Sequence, residues 1–242
     1  VSGGPPVLGA CVWAGQTRLS DLRAKAPGTE IALIDTTMQD TLYDRDEISA
    51  VGVAVQEGAA LEAEGCLVVG NGASGVSIAG QDAYACLEDT TIQNTTAGSL
   101  LGAAGITVVM GATLEAERCL LDSNEVLGLA AHSFGTEVSL VDSWILGTLP
   151  AGTGEAGIGI LAVEDAQVSV EGCLLVANTT GGVVAEDEGT HVWLRDSTVE
   201  GTIVPFGEQG ASAFGIAAQY ESSIIGERLR VSDNEGPGLY AN

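Results

Sequence analysis

GTEVSLVDSWILGT, residues 135–148, returns three more times along the chain with little change, as GTEIALIDTTMQDT from Gly28, QDAYACLEDTTIQNT from Gln81 and GTHVWLRDSTVEGT from Gly189. A second set of copies lies between them: GAALEAEGCLVVGN from Gly58, GATLEAERCLLDSN from Gly111, DAQVSVEGCLLVAN from Asp165 and ESSIIGERLRVSDN from Glu221. These close on Asn71, Asn124, Asn178 and Asn234. Self-similarity of this kind marks a repeat architecture. A glycine opening an apolar alternation recurs at Gly52, Gly75, Gly105, Gly128, Gly157, Gly182, Gly215 and Gly238, with short and long spacings in turn, so the unit is a pair of coils of about 53 residues.

Each coil contains three short alternating runs separated by polar or glycine turns, and none has the 3.6-residue period of a helix. One coil cannot bury its apolar side alone, so successive coils must stack as parallel ladders about 4.8 Å apart. Equivalent positions then become files along an axis. Three files are apolar and read as the core. One runs from Val53 and Val76 through Ile106, Leu129, Ile158, Val183 and Ile216 to Leu239. Another runs from Leu33 through Ala63, Leu87, Ala116, Leu140 and Val170 to Leu194. The last takes in Met38, Val68, Ile92, Leu121, Ile145, Leu175, Val199 and Val231. With only 4% aromatics and 34 glycines, this core is built from aliphatic side chains. The expected fold is all-β: a single-stranded solenoid of about nine coils with three short strands per coil.

The N-x-x-x-G pattern followed by alternating strands resembles the right-handed parallel β-helix repeats of the pectin-lyase-like superfamily, over Gly28 to Asn242. The resemblance implies the fold and leaves the function open, because that scaffold hosts lyases, hydrolases, epimerases, adhesins and proteins without catalysis. Residues 28–242 are expected to be repeats. Residues 1–27, with Pro5, Pro6 and Trp13 and a turn of helix over Leu19–Ala26, are expected to cap one end. The other end is expected to be open at Asn242.

The formal net charge of −25 repels phosphate backbones and anionic lipid, which argues against nucleic acid as a partner. No apolar run approaches the roughly 20 residues of a spanning helix, so no membrane insertion is expected. An acidic, glycine-rich, lysine-poor β protein suits the cell exterior or surface.

In the superfamily, the resemblance implies, catalytic groups project from the first sheet or its flanking turns. The outward positions there are Ala54, Ser77, Thr107, Ala130, Gly159, Val184, Ala217 and Tyr240, then Gln56, Ala79, Val109, His132, Leu161, Glu186, Gln219 and Asn242. Only His132 and Glu186 titrate usefully, and at two coils apart, about 10 Å, they make poor acid–base geometry. The acids concentrate on the second sheet. Glu64, Glu88 and Glu117 fall in one outward file, flanked by Glu62 and Glu115 in the next. A solvated acidic face accounts for all five; read as ligands, oxygen donors at this spacing at Glu64, Glu88 and Glu117 would suit calcium.

A neighbouring file alternates Asp35, Gly65, Asp89, Arg118, Asp142, Gly172, Asp196 and Arg228 and reads as ion pairing that sets register. Beside it run Thr36, Cys66, Thr90, Cys119, Ser143, Cys173 and Ser197, whose thiols lie too far apart to bridge. Cys11 and Cys86 leave their pairing open. Long turns over 42–51, 96–104, 149–156 and 203–214 are expected on one side, offering Tyr43, Asp44, Asp46, Glu47, Glu155, Phe206, Glu208 and Phe214 either as a binding surface or as a cover for the apolar first sheet.

These features point to a secreted or surface module without catalysis, a rigid scaffold or platform for a protein or glycan. Self-association through the apolar first sheet or the open C-terminal end is a further expectation. The alternative is a calcium-dependent carbohydrate-active enzyme, a polysaccharide lyase or glycoside hydrolase.

Overall fold

The structure, a computed structural model, describes residues 22–41, 50–97, 103–151, 156–204 and 213–242. Tyr43, Asp44, Asp46, Glu47, Glu155, Phe206 and Glu208 lie outside the described residues, as does Cys11. All regular structure among the described residues is strand. The strands form three parallel sheets. The first has nine strands, from Leu22–Lys25 to Leu239–Ala241; the second and third have eight each, beginning at Glu30–Ile34 and Thr37–Gln39. Each strand pairs with its equivalents one coil before and after, so the chain is a parallel β-helix of about nine coils.

The three aliphatic files face inward as expected up to the last coil, where Leu239 is exposed, with Met38, Ile92, Ile106, Leu121 and Leu129 fully buried. Full burial of one such side chain contributes about 1.5–3 kcal/mol.

One register choice needs correction. Leu129 pairs with Ile160, which pairs with Val183, so the file passes through Gly159 and Ile160, two residues beyond Gly157 and Ile158. Gly157-Ile158-Gly159-Ile160 keeps a period of two, and either alignment puts an isoleucine inside. The glycine carbonyl of the next coil decides between them. A Cβ on Gly159 would lie 2.6 Å from the Gly182 carbonyl oxygen and 2.9 Å from Asn178 Nδ2, whereas Gly157 has φ of 107° and precedes the strand. Leu161 and Val163 therefore replace Gly159 and Leu161 in the outward files of the first sheet.

The turn of helix expected over Leu19–Ala26 is also corrected. Leu22–Lys25 is a strand that pairs Leu22 with Val53 and Ala24 with Val55. Leu22 and Ala24 alternate with Arg23 and Lys25, the period of a strand with one wet face. The first coil thus starts inside the segment expected to be the cap.

The corners are built from left-handed residues. Between the second and third sheets, Asp35, Asp89, Asp142 and Asp196 have φ near 48°, and Gly65, Arg118, Gly172 and Arg228 between them are left-handed too. The Asp/Gly/Arg file, read from sequence as ion pairing, is first of all a backbone bend, which Asp tolerates better than most residues. Its alternation has a steric cause. A Cβ on Gly172 would meet Asp142 Oδ1 at 2.2 Å, and one on Gly65 would meet Asp35 Oδ1 at 2.7 Å. Where the file carries arginine, the guanidinium pairs with the aspartate instead, Arg118 with Asp89 and Arg228 with Asp196.

The next residues are the hydroxyl and thiol file, buried throughout. Each donates back two residues, as Thr36 Oγ1 does to the Ile34 carbonyl and Cys119 Sγ to the Glu117 carbonyl. Hydroxyls also accept from the thiol residue one coil before, Ser143 Oγ from the Cys119 amide at 3.0 Å and Ser197 Oγ from the Cys173 amide at 3.1 Å. Cys66, Cys119 and Cys173 are free, as expected, and so is Cys86.

After the third sheet, Asn71, Asn124, Asn178 and Asn234 each accept from the amide of a threonine one coil earlier: Thr41, Thr95, Thr148 and Thr202. Asn124 Nδ2 also donates to the Ile92 carbonyl and Asn178 Nδ2 to that of Ile145. The file is an internal polar ladder.

Candidate functional site

The outer face of the second sheet carries three files. The middle one runs Ala32, Glu62, Cys86, Glu115, Ser139, Ser169, Trp193 and Ile225, and the one nearest the third sheet runs Ile34, Glu64, Glu88, Glu117, Val141, Glu171, Arg195 and Glu227. The stacking of Glu64, Glu88 and Glu117 is therefore as expected. Glu62 and Glu115 do share the adjacent file, with Cys86 between them.

The acidic patch is bridged from within. Arg118 reaches Glu88 and Glu117 with its two Nη atoms and Asp89 with Nε at 2.9 Å. Its guanidinium lies where a cation joining Glu88 to Glu117 would sit. The hydrogen bond and charge of Arg118 hold the Asp89 carboxyl below the usual carboxylate range. Among the described residues, no group of three or more His, Cys, Asp or Glu is placed to hold a metal ion.

Past the acids the middle file shrinks to Ser139 and Ser169 and then rises to Trp193, which is 40% exposed. The result is a shallow trough. One hollow of about 250 Å³ is lined by Thr113, Glu115, Glu137, Ser139, Gln167, Ser169 and Trp193. A second of similar size lies on the far side of the indole, against Ser169, Glu171, Arg195, Ile225 and Glu227. The trough's walls are braced. Tyr84 Oη donates to Glu115 Oε2 at 2.8 Å, and burial first, then that bond, pushes the phenol up. At the other wall, His191 tilts against Trp193 with ring centroids 5.7 Å apart and bonds Ser223.

Sequence reasoning passed over Trp193, Tyr84, Ser139 and Ser169. Following the file of Glu62 and Glu115 three coils further, to Ser139, Ser169 and Trp193, would have found three of them.

On the first sheet, His132 pairs with Glu164 and not with Glu186: Nε2 lies 3.1 Å from Glu164 Oε2, and Nδ1 lies 2.6 Å from Ser133 Oγ. Burial raises the Glu186 carboxyl above its ordinary range, with Asp187 adding to it. Phe214 is partly buried against Tyr240 on this sheet, centroids 4.9 Å apart, and so does not join the second-sheet acids. Ala97, Ala103, Ala104, Val126 and Leu127 form a separate buried cluster with Ala130, Ile158 and Leu161 packed on it. Ala97, Ala103, Ala151 and Ala156, at the described ends of two long turns, thus pack over the middle of this sheet.

The family match agrees with the architecture. The family described as right-handed β-helix region matches residues 45–199. No curated protein matches the chain. Among solved structures, the crystal structure of the Agl-KA catalytic domain is similar at 10% identity and a TM-score of 0.33, with 88% of this chain and 53% of that one covered. The chain spans about half the length of that relative.

Proposed function

We propose, from the premise that this chain belongs to the right-handed β-helix family, that it is a binding module: a rigid scaffold that holds a glycan or a protein surface along its second sheet without cleaving it. The observation that carries this reading is the trough itself, with an exposed indole at one wall, a hydroxyl floor and carboxylates held in place on the other. Indole faces stack on apolar faces of partners, and fixed carboxylates and hydroxyls accept or donate to hydroxyl groups. The files set these groups at fixed intervals, so little ordering entropy is lost on binding. The acidic surface disfavours polyanions, which leaves uncharged glycans or basic and neutral protein surfaces. Location at the cell exterior forms part of the same reading and rests on composition. A calcium-dependent enzyme would first have to displace Arg118 from Glu88 and Glu117.

Titration with uncharged oligosaccharides of several linkages, followed by calorimetry and indole fluorescence, tests this. Binding is expected to weaken at least tenfold in Trp193→Ala while the bound chain keeps its length. Shortening of the oligosaccharide by the purified protein would overturn the reading, and so would binding indifferent to the indole.

A further inference from the structure

The corner between the first and second sheets holds a hydrogen-bonded chain that the binding reading does not use. We propose that Ser133, His132 and Glu164 form a hydrolytic site for short-chain acyl esters. His132 bridges the other two, with Nδ1 2.6 Å from Ser133 Oγ and Nε2 3.1 Å from Glu164 Oε2. A base within hydrogen-bond reach of a hydroxyl, itself oriented by a carboxylate, is the arrangement that turns serine into a nucleophile; it is recognised by geometry and not by sequence order. Either imidazole nitrogen can serve as base, provided the other is bound by the carboxylate.

The backbone places Ser133 at a tight corner of the coil. Ser133 has φ of 83°, the left-handed conformation that Glu57, Gly80, Met110, Glu164 and Asp187 take at the equivalent corner of other coils. The conformation projects the hydroxyl from a tight turn closed by the Thr136 amide on the Ser133 carbonyl at 3.1 Å. Thr136 Oγ1 donates to the His132 carbonyl at 2.8 Å and fixes the residue that carries the base. Two apolar side chains stand out at the same corner, Met110 at 67% and Phe134 at 80% exposure. They offer an acyl chain a place to rest.

The reaction balances with water as the co-reactant. Ser133 Oγ bonds to the ester carbonyl carbon as its proton passes to His132 Nδ1. The tetrahedral species collapses, the bond to the alcohol oxygen breaks, and that oxygen takes the proton from His132. Water then adds to the acyl-serine with His132 as base, releasing the carboxylic acid and restoring the hydroxyl. Glu164 holds the imidazole and stabilises its charged form.

The purified protein is assayed with p-nitrophenyl acetate and butyrate, and its residues are mapped by mass spectrometry after exposure to a fluorophosphonate. The expected result is release of nitrophenol and a phosphonyl group on Ser133. Ser133→Gly suits the left-handed backbone, so the fold is retained while the rate falls at least tenfold and the adduct vanishes. His132→Gln should lower the rate at least tenfold as well. Equal rates in the parent and Ser133→Gly, or labelling elsewhere with Ser133 unmodified, would overturn the proposal and leave the trough reading untouched.

Discussion

Asn124 places both ends of its amide inside the solenoid, accepting from the Thr95 amide and donating to the Ile92 carbonyl while only 1% exposed. Removing it strands a buried donor and a buried acceptor, each worth about 1–3 kcal/mol when left unpaired. Asn124→Ala is therefore expected to cost about 2–4 kcal/mol in urea unfolding, whereas Arg118→Ala, which breaks only exposed ion pairs, should cost less than about 1 kcal/mol. The asparagines were legible in the sequence as closing residues of alternate coils. Their bond to the previous coil's threonine was not, because donor and acceptor lie about thirty residues apart in the chain.

At the scale of strands and corners, burial drives the thiol chemistry. Desolvation pushes the Cys119 and Cys173 thiols up to about 11, with backbone hydrogen bonds at Thr90 and Glu117 for the first and at Ser143 and Glu171 for the second pulling the other way. A folded-state value above the unfolded one means stability present at neutral pH and lost as pH rises from about 9 through 11. The melting temperature should fall across that window, and Cys119→Ser with Cys173→Ser should flatten the fall. In the native protein iodoacetamide at pH 8 should spare Cys66, Cys119 and Cys173, and label them once guanidinium unfolds the chain. Faster labelling of these three than of Cys86 would contradict the packing of the corner. The sequence showed these residues as one file through simple alternation. It could not separate Gly157 from Gly159, since two glycines and two isoleucines in alternation satisfy the hydrophobic pattern in either register. Only the carbonyl stacked against the missing Cβ distinguishes them.

For the molecule as a whole, the repeat made the architecture readable because stacking converts sequence period into spatial adjacency. The trough was less readable. Its walls, Glu115 and Trp193, come from strands three coils apart, and its floor consists of serines that carry no motif. The second-sheet acids were visible as a file, while the arginine that ties them together lay in a neighbouring corner file and turned towards them.

The most direct test of the stacked files uses a cysteine already present. Cys86 lies directly across from Glu115 on the adjacent strand, while Glu117, two residues along the same strand, lies across from Glu88. Paired positions on neighbouring strands fall within bridging distance, and diagonal ones lie beyond it. Under mild oxidation Glu115→Cys should form a disulfide with Cys86, detected as a single linked peptide, and Glu117→Cys should remain free. A bridge at position 117 with none at 115 would contradict the register on which every file depends.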